Sequence, residues 1–308
     1  MSDFQKNDLK KGLAEYLPVR SILILLLLVM IGGMILGSAI SWLILYLDGI
    51  TLEEILKKEP SELTFHHRNL MRWVTLFNHG FTFLIPSLVL VYLLEKRNWK
   101  NYLNLNKIPK RNNLFLGTLL IFASFPLVQF TFWLNKKVAL PSILAEWEAT
   151  SENAILGLIR MDNPLELIFS LIVMAVLPAL GEEFVFRGIL QKNLERLFKN
   201  GHIAVWTAAF LFSAFHFQFM GFLPRFFLGV LLGYLFFWTR NLWIPIATHF
   251  IYNGFQVIGA YLFADELQNL NGKPPETIPI GITIFSFIFV AFIAHSIYKF
   301  NQKEISEL

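Results

Sequence analysis

Long apolar runs separated by short clusters of basic residues leave this chain few ways to fold. They lie near 21 to 47, 70 to 94, 113 to 134, 166 to 188, 202 to 220, 223 to 238, 243 to 263 and 278 to 298. A helix of about 20 residues, rising roughly 1.5 Å per residue, matches the hydrocarbon thickness of a bilayer. The expected fold class is therefore all-α, a polytopic membrane helical bundle with about eight transmembrane helices. Composition agrees, since 55% of residues are hydrophobic and 16% are charged, against about 25% charged in a typical soluble domain. The first run, Ser21 to Leu47, follows basic residues as a signal peptide would. It is too long for a signal core and is read as a retained span.

The chain divides into a cytoplasmic N-terminal segment 1–20, a membrane domain 21–298 whose motif-bearing core is about 160–262, and a cytoplasmic tail 299–308. With the N-terminus inside, seventeen basic residues fall on inner segments. They are Lys6, Lys10, Lys11, Arg20, Lys96, Arg97, Lys100, Lys107, Lys110, Arg111, Arg187, Lys192, Arg196, Lys199, Arg240, Lys299 and Lys303. Nine remain outside: Lys57, Lys58, Arg68, Arg72, Lys136, Lys137, Arg160, Arg225 and Lys273. That bias satisfies the positive-inside rule and predicts a multi-pass protein of the cell membrane with both termini cytoplasmic. The net charge of +4 resides in these clusters and not on one basic face, so no nucleic-acid partner is expected. With no cysteine, disulfides and thiolate metal sites are excluded. No internal repeat is visible, which weighs against a transporter.

Ionisable groups inside spans cost about 2.5 to 3.5 kcal/mol each on insertion scales and so ask for a partner or a purpose. The densest case is Leu180-Gly181-Glu182-Glu183-Phe184-Val185-Phe186-Arg187. Glu183 and Arg187 are i and i+4 on one helical face and can pair. Glu182, rotated by about 100°, has Phe186 at its own i+4 position. It is an apparently unpaired carboxylate and a candidate general base acting on water. The alternative is that both glutamates share Arg187 as a topological anchor. Pro178, four residues before Glu182, should kink the helix and leave a backbone carbonyl free nearby.

Two further clusters follow. Phe212-Ser213-Ala214-Phe215-His216 lies in the next run, and the turn Lys199-Asn200-Gly201 makes an antiparallel hairpin that sets Glu182 and His216 at one level. In His249-Phe250-Ile251-Tyr252-Asn253, the imidazole and amide are i and i+4, suitable donors for a developing oxyanion or, alternatively, interhelical glue. Asn78, His79 and His295 have no charged i±4 partner of the kind found in Glu183 and Arg187 and are read as structural.

Glu-Glu-x-x-x-Arg, Phe-x-x-x-His and His-x-x-x-Asn, in that order in successive apolar segments, resemble the three motifs of the CPBP intramembrane protease family, also called Abi or type II CAAX prenyl proteases. The resemblance implies a membrane-embedded endopeptidase. In it Glu182 activates water and Glu183 pairs with Arg187, with Phe212 as further structural support. His216 orients the water, and His249 and Asn253 stabilise the oxyanion. Family members have been described both as metalloproteases and as metal-free enzymes. Were zinc present, Glu183, His216 and His249 are the candidate ligands. A zinc held by Glu182 would remove the base, so no metal is favoured. The expected partners are the lipid bilayer and a membrane protein or peptide substrate. Two readings from other classes stay open: a non-catalytic scaffold or bacteriocin-immunity protein of the same fold, and a proton-coupled transporter using Glu182 and His216.

Overall fold

The computed structural model describes residues 12–264 and 279–302, and within them the chain is helical with no β-strand. The principal helices are α1 Val19–Asp48, α2 Phe65–Tyr102, α3 Arg111–Asn135 and α4 Ser142–Ile159. Then come α5 Pro164–Phe198, α6 Gly201–Ala214, α7 Phe222–Thr239, α8 Trp243–Leu262 and α9 Ile280–Phe300. The basic residues Lys6, Lys10, Lys11, Lys273 and Lys303, counted above as topology signals, lie outside the described residues.

Among the described residues, six helices are long and apolar enough to cross a bilayer: α1, α2, α3, α5, α7 and α9. The polytopic helical bundle is as expected, but two of the eight runs take another form. The run 243 to 263 becomes the 20-residue α8, outside the six because Thr248, His249, Asn253 and Gln256 dilute its apolar character. The run 202 to 220 yields only the 14-residue α6, about 21 Å long at 1.5 Å per residue. It ends where Phe217 takes a left-handed φ of 52°. His216 therefore sits in a turn at the inner end of a short helix and not within a span.

The start of that hairpin follows the sequence. Lys199 adopts the left-handed conformation, and the Asn200 side chain caps α6 by accepting from the amides of His202 and Ile203.

Helices α2 and α5 are interrupted by π-helical turns, Gly80–Leu84 in α2 and Ile172–Val176 and Phe184–Gln191 in α5. In both, a proline follows closely, Pro86 and Pro178. Proline has no N–H for the i−4 carbonyl and its ring crowds that carbonyl, so the helix widens locally. Each π turn rotates the following face, which lets one helix direct side chains at two neighbours.

Small residues bring the helices together. A Cβ on Gly33 of α1 would lie 1.9 Å from the Phe81 carbonyl oxygen of α2. One on Gly181 of α5 would stand 3.0 Å from Phe83 Cβ and 3.1 Å from the Leu84 nitrogen. Helix α2 thus rides against α5 at the level of Glu182.

Polar ties close both ends of the bundle. At one end Arg240 pairs bidentately with Glu195 at 2.6 and 2.8 Å. There too Lys192 Nζ reaches the Tyr102 carbonyl and Asn104 Oδ1, and Asn241 donates to the Lys107 carbonyl. At the other end, Arg68 and Arg72 of α2 converge on Glu166 of α5. Arg68 Nε and Nη2 lie 2.9 Å from its two oxygens, and Arg72 Nη1 lies 2.6 Å from Oε1. The sequence reading placed these arginines among the charges of an outer segment. They are instead 2% and 0% exposed, because Glu166 and the carbonyls of Leu63, Leu158 and Arg160 take up their donors.

Candidate active site

All three motifs meet at one cavity of about 860 Å³, whose lining includes Glu182, Phe212, His216, His249 and Asn253. That is in the size range of sites that enclose a ligand. Glu183 and Arg187 stand behind it. Arg187 Nη1 donates to Glu183 Oε1 at 2.7 Å, and Nη2 donates to the Gly229 carbonyl at 3.0 Å. The guanidinium also lies 4.7 Å from the centre of the Phe212 ring, a cation–π contact that seats Phe212 beneath His216.

The ring nitrogens have defined roles. A carbonyl can only accept, so His216 Nδ1–H donates to the Phe212 carbonyl at 2.8 Å and Nε2 carries the lone pair. His249 Nδ1–H likewise donates to Glu183 Oε1 at 2.8 Å. Both Nε2 atoms then face Glu182, His216 at 3.9 Å from Oε1 and His249 at 3.9 Å from Oε2. These separations are too long for direct hydrogen bonds, but suit one water bonded to both groups at about 2.8 Å each.

Asn253 is held from two sides. Its Nδ2 donates to the Met174 carbonyl at 3.0 Å and lies 3.2 Å from His249 Nε2. Met174 lies in the π turn Ile172–Val176 that precedes Pro178, where the regular i−4 ladder is broken. The π turn ahead of Pro178 thereby supplies the acceptor that orients the amide. Both amide hydrogens of Asn253 are engaged within the protein, so neither it nor the lone pair of His249 is a ready oxyanion donor in this arrangement.

One expectation fails. Glu182 is not unpaired, because His79 Nε2 of α2 lies 2.9 Å from its Oε1. His79 had been read as structural, since its own helix offers no charged neighbour at i±4. Its partner is 103 residues away. The available signal was the polar pair Asn78-His79 in an apolar run. His79 Nε2–H is the donor to the carboxylate, and Nδ1 is buried with no partner among the described residues.

The proposed zinc set does not fit a single ion. His249 faces Glu183 through Nδ1 and faces His216's side of the cavity through Nε2, on the opposite ring edge. An ion at His249 Nε2 is out of reach of Glu183, which already serves Arg187 and His249. Among the described residues no group of three or more histidine, aspartate or glutamate side chains is arranged to hold a metal.

Comparison with known proteins finds similarity in the motif-bearing part of the chain. Residues 164–255 match the family described as Rce1-like, type II CAAX prenyl endopeptidase Rce1-like. The uncharacterized protein YpbD of Bacillus subtilis (strain 168) is 36% identical over 85 residues, 26% of this chain and 40% of that protein. The membrane-embedded CAAX protease MroQ of Staphylococcus aureus (strain USA300) is 30% identical over 125 residues, 39% of this chain and 46% of that protein. The matched stretches thus cover under half of these curated relatives. No solved structure is significantly similar to the chain. The motif-bearing core of this multi-pass membrane protein thus matches the type II CAAX prenyl endopeptidase Rce1-like family.

Proposed function

We propose that the protein is an intramembrane endopeptidase that hydrolyses a peptide bond of a membrane-associated protein or peptide with Glu182 as the base. The observation that carries this reading is that Glu182 shares one cavity with His216, His249 and Asn253, both histidine Nε2 atoms lying 3.9 Å from its carboxylate.

A water between Glu182 and His216 gives a proton to the carboxylate as its oxygen attacks the scissile carbonyl carbon. Glu182 then returns the proton to the departing amine. The bond from His79 fixes the carboxylate through Oε1, whose second lone pair faces the water on the His216 side. Oxyanion stabilisation requires a rearrangement, because both Asn253 hydrogens are internally bonded. A proton taken from solvent as the substrate binds, and given back as the products leave, turns His249 Nε2 from acceptor to donor. It also releases one Asn253 hydrogen, so two donors face the oxyanion together. Glu183 remains on Nδ1 and holds the ring in place, as an acid does behind a catalytic histidine. No step in this scheme uses a metal.

Membrane orientation follows from charge. The end that carries Lys100, Lys107, Lys192 and Arg240 is cytoplasmic by the positive-inside rule. The cavity runs from mid-bundle toward the opposite end, where Lys136, Glu152 and Phe263 line it. In the cell membrane, peptide enters from that side.

The test is incubation of the purified protein with a peptide library, with and without a chelator, and mass spectrometry of the products. Wild-type protein yields cleaved peptides in both conditions. Glu182→Gln yields none while keeping its elution profile and melting temperature. Products from Glu182→Gln would remove the mechanism, and loss of products with chelator would replace it with a metal-dependent one.

A further inference from the structure

The cavity contains a cation that the hydrolytic scheme leaves unused. Arg225, in the first turn of α7, lines the same cavity as Glu182. Its Nη1 donates to Gln218 Oε1 at 2.8 Å and its Nη2 to the Gln218 backbone carbonyl at 2.7 Å. Both acceptors are neutral. Among the described residues no carboxylate lies within 4.0 Å of its nitrogens, and Nε is buried without an acceptor. Glu148 on the neighbouring α4 and Glu182 oppose its charge only from beyond pairing distance, and one Glu148 oxygen accepts from the Phe219 amide at 2.9 Å.

The seat for this guanidinium is built. A Cβ on Gly221 would lie 2.4 Å from Nη1 and 2.5 Å from Cζ and Nη2, so the guanidinium lies directly against the glycine and a side chain there would displace it. A charge in a membrane protein normally has a counter-ion close by. Here five N–H donors form a fork suited to a carboxylate, and only part of the fork is used.

We propose that Arg225 is the anchor for a carboxylate of the peptide substrate, which supplies the missing counter-ion when the peptide occupies the cavity. The inference rests on the endopeptidase reading and names the substrate class for that site: peptides that place an anionic group beside the scissile bond. The carboxylate comes from a free C-terminus or from an aspartate or glutamate side chain.

Three degenerate peptide libraries separate these sources. One has free C-termini and no acidic residues, one is amidated with aspartate and glutamate included, and one is amidated and wholly neutral. Each is retained on immobilised Glu182→Gln protein and quantified by mass spectrometry, and each is digested with wild-type protein. We expect at least tenfold greater retention of one carboxylate-bearing library than of the neutral one, and the library that wins identifies the source. Arg225→Gln in the same background abolishes the preference, and Arg225→Lys keeps part of it.

Equal retention of all three libraries by the Arg225-containing protein overturns the proposal. Should Arg225→Gln fail to fold, having lost its hold on Gln218, the comparison of libraries on the Arg225 protein and on Arg225→Lys decides. Retention does not depend on turnover. A carboxylate preference with no cleavage by wild-type protein refutes the peptidase and leaves the anchor standing.

Discussion

Replacing His79 with alanine removes the hydrogen bond that holds Oε1 of Glu182, and the size of the effect follows from its geometry. The bond is 2.9 Å long and joins a ring N–H to a carboxylate with a side chain only 6% exposed. Hydrogen bonds to charged groups contribute about 1.5 to 3 kcal/mol. If that ordering is realised at the transition state, kcat/KM falls roughly 10- to 150-fold. His79→Gln retains an amide donor at similar reach and should recover much of the loss, mostly in kcat. The assay is cleavage of a fluorogenic peptide taken from the library products, with melting temperatures measured alongside. The ring also packs on Phe83 at 4.6 Å between centres, so a modest fall in melting temperature is expected for alanine. Unchanged kcat/KM in His79→Ala would refute the reasoning. Equal losses in the alanine and glutamine variants, in step with stability, would reduce His79 to a packing residue.

Pro178→Ala returns an N–H that can bond the Met174 carbonyl and so competes with Asn253; activity should fall roughly 2- to 12-fold, from about 0.5 to 1.5 kcal/mol for one hydrogen bond, while thermal stability in detergent holds or rises. Glu166→Ala leaves Arg68 and Arg72 buried without their shared carboxylate, and the loss of about 3 to 5 kcal/mol expected for a broken buried pair should appear as a large drop in melting temperature. The absence of native cysteine makes orientation directly measurable. In intact cells an impermeant maleimide should label Lys137→Cys and spare Asn106→Cys, and the reverse pattern would invert the assigned topology.

The motif residues were legible because each pairing within a motif is local. Glu183 with Arg187 and His249 with Asn253 are i and i+4, and helical geometry alone puts them in contact. The hairpin turn at Lys199-Asn200-Gly201 was legible for the same reason, and it aligned Glu182 with His216 by counting residues from a common bend. The Pro178 kink was readable too, although its acceptor role toward Asn253 depends on α8, which no local rule positions. His79 escaped because its partner lies on another helix, and an i±4 test sees one helix at a time. The end of α6 escaped because an apolar run of adequate length does not reveal that Phe217 turns the backbone left-handed. Arg68 and Arg72 looked like solvent-facing topology signals, whereas the distant Glu166 makes them interior.

His79 also bears on how much of the chain must be present for chemistry. The stretch that matches the family model begins at residue 164, and a fragment cut there would retain every motif yet lack the imidazole bonded to Glu182. Helix α2, and α1 that braces it through Gly33, are parts of the proposed site in all but sequence signature. Transplanting or minimising the proposed site would have to begin from the N-terminal helices, and a homologue without a donor at this place would need another means of keeping its glutamate still.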